Sequence, residues 1–384
     1  MCFSHHGRNT MRILMVSDNY YPYPGGIAEH IHHASLELRE LGHEVKILTA
    51  SYGDNRSFGS PQVIRVGQGV IIPVNRSFCL VPVGWRLSEK VRQVLREGNF
   101  DIVHTHGPLA PVLPMLAIKH SKAVNIATFH AAHSSSLGYK IFSPILRHYF
   151  DKLSGLIAVS EVAKESMNRY FPGDYRIIPN GIDMKRFNPD LEPIETYADG
   201  RPNILFVGRF DPRKGLKYLL MAMSRILKSV PEARLLVVGK GFLEGYYRRF
   251  LDAEFRESVV FVGYVEPDLL PRYYTTCDVF CSPATGAESF GIILLEAMAA
   301  GTPLVASGID GYRRVVSHMD DGILVPPTDS EALADGVVKL LSDRSLRMKF
   351  RENGLKKAEF YSWERVTKTI EQYYVEVIER VSRK

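Results

Sequence analysis

Short runs of β-branched and large apolar residues alternate along the chain with longer stretches in which apolar positions recur every three or four residues. RILMVS, EVKILTA, DIVHTH, VNIATFH and GLIAVS read as buried parallel strands of the first half. Helical periodicity falls between them, including residues 26–41 and 143–151. NILFVG, RLLVVG, VVFVG, VFCSP, PLVAS and GILVP repeat the plan in the second half. Helical patterns again intervene, near 215–229, 243–254, 268–276, 291–300 and 330–341. Such alternation predicts parallel sheets covered by helices on both faces, here as two Rossmann-like α/β domains in tandem. The stretch between them, IIPNGIDMKRFNPDLEPIETYADGRPN, is rich in Pro, Asn, Asp and Gly and has no period. The expected domains are therefore residues 1–182 and 183–363, followed by a long amphipathic helix from Trp363.

Composition narrows the class. A chain of 384 residues is comfortable for two domains, and 45% apolar with 23% charged residues is ordinary for a globular protein. No apolar run reaches the roughly 18 residues that span a bilayer. The first ten residues, MCFSHHGRNT, lack the apolar core of a signal peptide and read as a loose extension or the product of an upstream start codon. Cys277 and Cys281 lie in the apolar segment CDVFCSP, and no second pair completes a zinc pattern, which suits buried thiols in a reducing cytoplasm. The net charge of +6 permits an anionic partner such as a nucleotide or a membrane surface. No RNA-binding or helix-turn-helix pattern is present, so nucleic acid is not expected.

In open parallel sheets ligands bind at the carboxyl ends of strands, so the residues that follow each strand carry the candidate chemistry. After the first strand, Gly25 and Gly26 precede a helix. They form either a plain turn or a place where backbone and helix terminus approach a phosphate. Arg209 and Lys214 follow NILFVG, as a solvated loop or as two cations for a diphosphate. Gly239, Gly241 and Gly245 miss the dinucleotide fingerprint spacing by one residue, so NAD is not expected. His104, His106 and His130 end strands, where a histidine can bond a sugar hydroxyl or a leaving group. His133 is near enough in sequence to raise a metal cluster as the alternative. Residues 86–96, RLSEKVRQVLR, form a basic amphipathic helix. Leu87, Val91, Val94 and Leu95 share one face, while Arg86, Lys90 and Arg96 lie elsewhere. It is either a domain helix with a solvated face or a helix that lies on an anionic membrane.

The stretch GAESFGIILLEAMAAG combines an apolar helix with two carboxylates, Glu288 and Glu296. A carboxylate among apolar residues needs hydrogen-bond donors. Ser289, Phe290 and Gly291 lead into the helix, so backbone N–H groups there can hold a diphosphate. Glu288 then lies where a sugar would hang, and Glu296 where a ribose diol would donate to it. The alternative for Glu296 is a structural bond to backbone or to an arginine.

Taken together, PGG near the start, IPNGID, GRFDPRKG and the Glu288-x7-Glu296 spacing resemble glycosyltransferase family 4, the retaining transferases of the GT-B fold. The resemblance runs from Met11 onward. It implies two Rossmann-like domains facing each other across a cleft, an N-terminal one for the acceptor and a C-terminal one for a nucleotide-sugar donor, with residues 364–384 packing back on the first. It further implies that Glu296 binds ribose, that Glu288 binds the donor sugar, and that Phe290, Gly291 and Ile292 offer backbone groups to the phosphates. Arg209 and Lys214 would neutralise the departing diphosphate, Gly25 and Gly26 would approach it, and His130 would sit beside the reacting sugar. Ser289, Gly239 and Val265 would add donor contacts. Tyr20, Asn75, Arg76, Ser77, Arg86 and Lys90 would serve the acceptor or the membrane. No metal or other cofactor is implied, and the chain lacks the Asp-x-Asp with which sugar transferases of the other main fold commonly hold a divalent ion.

VIIPVNRSF, ATFHAAHSSSLGYKIF and GAESFGIILLEAMAAGTPLVAS are similar, more narrowly, to phosphatidyl-myo-inositol mannosyltransferases. That resemblance implies GDP-mannose as donor, an inositol phospholipid as acceptor, and a cytoplasmic protein in peripheral contact with the inner membrane face. Ala28 departs from the glutamine common there. A UDP-sugar with a soluble sugar, inositol phosphate or polysaccharide acceptor is the alternative within the family. A non-catalytic nucleotide-sugar or lipid binder is the alternative outside it.

Overall fold

A computed structural model describes residues 10–22, 25–53, 62–74, 77–109, 112–130, 137–241, 243–286 and 288–383. The contacts divide the chain into two units, residues 1–181 with 363–384, and residues 182–362.

The first unit carries strands β1 (Arg12–Val16), β2 (Glu44–Ser51), β3 (Gln62–Val74), β4 (Ser77–Val83), β5 (Ile102–His106), β6 (Val124–Phe129), β7 (Gly155–Ala158) and β8 (Tyr175–Ile177). They form one sheet in the order β4-β3-β2-β1-β5-β6-β7-β8, and every pairing is parallel except β3 with β4. Its helices are α1 (Gly26–Glu40), α2 (Leu87–Gly98), α3 (Leu113–His120), α4 (Leu137–Phe150) and α5 (Glu161–Asn168).

The second unit carries β9 (Asn203–Val207), β10 (Arg234–Val238), β11 (Val259–Gly263), β12 (Val279–Ser282), β13 (Leu304–Ser307) and β14 (Ile323–Val325), all parallel, in the order β11-β10-β9-β12-β13-β14. Counted within the unit this is the 3-2-1-4-5-6 order of a doubly wound dinucleotide-type sheet. Its helices are α6 (Leu216–Ser229), α7 (Glu244–Tyr247), α8 (Leu270–Thr276), α9 (Ile292–Ala299), α10 (Asp310–Arg313), α11 (Ser330–Ser342) and α12 (Arg344–Phe360). The chain's last helix, α13 (Trp363–Ser382), belongs to the first unit.

Period-two alternation sorts strand residues between two apolar layers in each unit. In the first, Ile13, Met15, Ile47, Ile102 and Ile126 face α1 and α13, whose Ile31, Leu38, Val366, Ile370 and Tyr374 complete that layer. Leu14, Val16, Leu48 and Val103 face the other way, against α2 and α3. In the second unit Ile204, Phe206, Leu235 and Val237 meet α6 and α11. Leu205, Leu236, Phe280 and Leu304 meet α8 and α9.

Several elements differ from the sequence reading. The helix expected at 143–151 begins at Leu137 and runs through Pro144. The helix expected over 243–254 is one α-turn, Glu244–Tyr247, followed by 3-10 turns at Arg248–Phe250 and Ala253–Ser258. The described residues of VIIPVNRSF end β3 at Val74 and begin β4 at Ser77, an antiparallel pair whose strands the apolar pattern did not separate. The basic helix starts at Leu87, because Arg86 adopts a left-handed backbone (φ 53°) that helices do not continue through.

Candidate active site

The strand order reverses in the second unit between β9 and β12, which are hydrogen-bonded neighbours with helices leaving on opposite sides. The segments after these two strands, 208–215 with 283–286 and 288–291, therefore meet at the sheet's carboxyl edge, where an open α/β sheet forms a crevice. Glycines make the meeting possible. A Cβ on Gly215, whose φ is 72°, would lie 1.8 Å from the Pro283 carbonyl oxygen, and one on Gly311 would lie 2.1 Å from the Glu288 carbonyl oxygen. The Thr285 N–H donates to the Arg213 carbonyl at 2.8 Å and ties the two segments together.

Two predicted residues converge on this point. Lys214 Nζ lies 2.7 Å from Glu288 Oε1, and both side chains are more than four-fifths covered. At that cover the pair is screened less than a surface bridge. Arg209, at the end of the same β9 segment, is exposed and makes no ion pair among the described residues.

Gly291 caps α9 with a left-handed backbone (φ 90°). The α9 amide groups at its first turn have no helical acceptors, as at any helix start. A Cβ at Gly291 would strike the Tyr312 ring at 2.6 Å, so glycine is required there. Phe290 is buried edge-on to Tyr361, leaving its backbone as the part that a ligand can use. Ser289 and Ile292 are half-buried beside it. Glu296 projects from the middle of α9 and accepts a hydrogen bond from the Tyr274 hydroxyl at 2.7 Å. The phenol comes from α8, and no spacing in the sequence pairs it with Glu296. Gly239 belongs to the same strand-end cluster, since a Cβ there would lie 1.9 Å from the Gly208 carbonyl oxygen. Val265 is half-buried after β11 and packs on the α9 side of the core.

In the first unit, Gly25 is the N-cap of α1 and Gly26 its first residue; a Cβ on Gly25 would meet nothing within 4 Å. Beside this helix lies a cluster of imidazoles. His106 Nδ1 and His130 Nε2 are 3.0 Å apart, and the His30 ring packs against both. His30 Nδ1 donates to Asn180 Oδ1 at 2.9 Å, which fixes its tautomer and leaves Nε2 as an acceptor. His30 Nε2 and His106 Nε2 are buried and find no hydrogen-bond partner among the described residues. His104 is held by Tyr374 at 2.6 Å and Thr128 at 2.7 Å. Burial is the first cause that lowers these pKa values, and neighbouring imidazoles add to it. His30 falls to about 4 and His104 to about 3, while His106 and His130 lie well below the ordinary range. All four are neutral near pH 7. Among the described residues no group of three His, Cys, Asp or Glu could hold a metal, and His133 lies outside them.

Tyr20 is buried, and its hydroxyl bonds His32 at 2.9 Å. Ala28 is fully buried on α1. Asn75 and Arg76 lie outside the described residues, and Ser77 begins β4. On α2, Leu87 and Val91 are buried, and Val94 and Leu95 pack on the first unit's own core. The apolar face of this helix is thus occupied. Arg86, Lys90 and Arg96 are exposed, with Arg86 paired to Glu89. Cys277 and Cys281 are buried thiols that burial raises above their usual range. No helix among the described residues is long and apolar enough to cross a membrane.

Residues 189–357 match the family model for glycosyl transferases group 1, and residues 24–186 match that for glycosyltransferase family 4. The chain is 35% identical over 365 residues to the phosphatidyl-myo-inositol mannosyltransferase of Mycolicibacterium smegmatis, covering 95% of this chain and 93% of that protein. It is 36% identical over 372 residues to the enzyme of that name from Mycobacterium tuberculosis, covering 95% and 96%. Among solved structures, a glycosyltransferase from Rickettsia africae superposes with a TM-score of 0.76 at 21% identity, over 96% of this chain and 99% of that one.

Proposed function

The chain belongs to glycosyltransferase family 4, and from that premise we propose that it is a retaining, metal-independent mannosyltransferase that moves mannose from GDP-mannose to an inositol phospholipid. The two parallel-sheet α/β units are those of the GT-B fold, and the chain is a hexosyltransferase by family. The observation that carries the donor site is the Lys214–Glu288 pair at the switch point of the second unit, a cation and a carboxylate held together beside the start of α9, while the mannosyl donor and inositol-lipid acceptor are proposed from the likeness to the mycobacterial enzymes.

The donor's diphosphate meets Lys214, Arg209 and the open amides at the start of α9, which stabilise negative charge as it grows on the leaving group. Glu288 accepts from hydroxyls of the sugar, and Glu296 from the ribose diol. The acceptor oxygen bonds to the anomeric carbon on the face from which the phosphate oxygen departs. Its proton passes to that phosphate oxygen, and configuration is kept. The chain's part is positioning and electrostatics, with no group required to form a covalent intermediate. In the first unit, His130 offers a neutral imidazole fit to hydrogen-bond a sugar hydroxyl.

A lipid acceptor fits the outer edge of the first unit. Val70, Ile71 and Ile72 are exposed in succession on β3, and Trp85, at 85% exposure, leads into α2. Arg86, Lys90 and Arg96 stand close by in sequence. An apolar strip with cations beside it suits the interface of an anionic bilayer. Because the apolar face of α2 is covered, the hairpin and Trp85 make the apolar contact while α2 supplies charge.

The test is a transfer assay with GDP-mannose and phosphatidylinositol liposomes in excess EDTA. Mass spectrometry would identify the product and NMR its anomeric configuration. A mannosylated phosphatidylinositol with the donor's anomeric configuration is expected. Turnover with a UDP-sugar but not GDP-mannose, or activity only after Mg²⁺ or Mn²⁺ is restored, would overturn the finer reading.

A further inference from the structure

Tyr274 stands on α8 with its ring wholly buried, packed against Phe280 (centroids 5.2 Å apart) and Phe187 (5.8 Å). Its backbone carbonyl accepts from Thr302 Oγ1 at 2.8 Å. The position of the phenol oxygen is thus fixed by packing and main chain, independently of what the hydroxyl touches. That hydroxyl donates to Glu296 Oε2 at 2.7 Å. Burial, and then the Glu296 charge, hold the phenol well above its ordinary pKa, so it remains a donor at any working pH.

A glutamate side chain has three rotatable bonds, and its carboxylate plane turns freely unless something holds it. A vicinal diol presents two O–H donors at a fixed separation. A carboxylate accepts both only when its plane matches theirs, and it has about four lone-pair sites to share. We propose that Tyr274 is a positioning residue that fixes the plane of the Glu296 carboxylate and thereby gives the donor site its preference for ribose over deoxyribose. The proposal rests on the reading of Glu296 as the ribose acceptor. It assigns specificity to a side chain in the core that need not touch the ligand.

The experiment uses the full chain. Dissociation constants are measured by calorimetry for GDP, 2′-deoxy-GDP and 3′-deoxy-GDP, with UDP and its deoxy forms in parallel. The proteins are wild type, Tyr274→Phe, Glu296→Gln and Glu296→Asp. Phe keeps the buried ring, and Glu296→Asp withdraws the carboxylate from the phenol without altering the α8 core. The ribose-over-deoxyribose preference should fall roughly tenfold in Tyr274→Phe, the size of one hydrogen bond to a charged group. Affinity for the deoxy nucleotides should stay near wild type, which a general loss of packing would not allow. Glu296→Gln and Glu296→Asp should lose the preference as well. Loss in the Glu296 variants with the wild-type ratio kept in Tyr274→Phe would overturn the positioning role alone. An undiminished ratio in Glu296→Gln would overturn the underlying ribose assignment, and the positioning role with it.

Discussion

Lys214 and Glu288 lie far apart in sequence, yet Nζ and Oε1 stand 2.7 Å apart because β9 and β12 are neighbours. Before donor binds, each largely covered charge satisfies the other. In the proposed reading an arriving diphosphate shares Lys214 and frees Glu288 for the sugar hydroxyls. Lys214→Ala and Glu288→Ala should each lower turnover at least about a hundredfold, the usual size of a lost electrostatic contact to a transition state. Each also leaves the other charge without its partner. Steady-state kinetics with saturating donor checks this, and near-normal turnover in either variant would sink the site assignment.

Gly215 tests the architecture under that pair. Its φ of 72° already strains any L side chain, and a Cβ would sit 1.8 Å from the Pro283 carbonyl. Gly215→Ala should destabilise the second unit by about 2 kcal/mol or more and reduce turnover as the two segments separate. Thermal unfolding beside the transfer assay reads both effects. Wild-type values in both would mean that the close approach of these segments is not needed.

Strands β1, β2, β5 to β7 and β9 to β14 were legible because each is a short apolar run at a position where helix periodicity fails; β8, three residues with the exposed Arg176 at its centre, was not. Nor was the β3–β4 hairpin, since QVIRVGQGVIIPV mixes Gly, Gln, Arg and Pro into a strand with exposed residues. Helix α12 escaped notice because little of it is buried, chiefly Phe350, Gly354 and Ala358, and a mostly solvated helix shows no apolar stripe. At the site, Lys214, Glu288 and Glu296 were each identified from strand-end and helix-start logic. What brings Lys214 to Glu288 is the strand order, and no local pattern encodes that. Tyr274 is 22 residues from Glu296 and reads as one more apolar position until α8 and α9 pack together. Tyr20 lies in the loop after β1 and packs into the core against α1, a burial that the loop's composition does not signal.

The imidazole cluster makes the first unit sensitive to acid. His30 and His104 have folded pKa values of about 4 and about 3, below the unfolded value of 6.5, and both are fully covered. Between those values the unfolded chain binds more protons, so stability falls as pH drops below 6.5. From pH 7 to pH 5 each contributes a loss of about 2 kcal/mol. His106 and His130 act in the same direction. Asp18 acts in the opposite one, because burial raises its carboxyl despite bonds from Val112 and Leu113, and it is one group against four. Urea midpoints at pH 7 and pH 5 should therefore differ strongly, and His104→Gln should narrow the gap. Equal midpoints would mean that the imidazoles are not neutral and buried as described.

Membrane contact should separate two classes of apolar residue. Ile71 and Trp85 are exposed, whereas Leu87 and Val91 face the core. Ile71→Ser with Trp85→Ala should weaken binding to phosphatidylinositol liposomes and leave the melting temperature unchanged. Leu87→Ala should destabilise the first unit by the cost of a core truncation, about 2–5 kcal/mol, and so lower the melting temperature, with liposome affinity retained in the folded fraction. Sedimentation with liposomes measures the first and thermal unfolding the second. Undiminished binding in the hairpin variant would remove this edge as the lipid contact.

Donor-dependent thermal stabilisation tests the central claim most directly, because a ligand that binds only the folded protein raises its melting temperature by mass action. GDP-mannose, UDP-glucose, UDP-N-acetylglucosamine and UDP-galactose would be compared on wild type and Lys214→Ala, in EDTA. The account predicts a selective rise with GDP-mannose that is much reduced in Lys214→Ala. A rise confined to a UDP-sugar would contradict the assigned donor, and an equal rise in Lys214→Ala would contradict the assigned site.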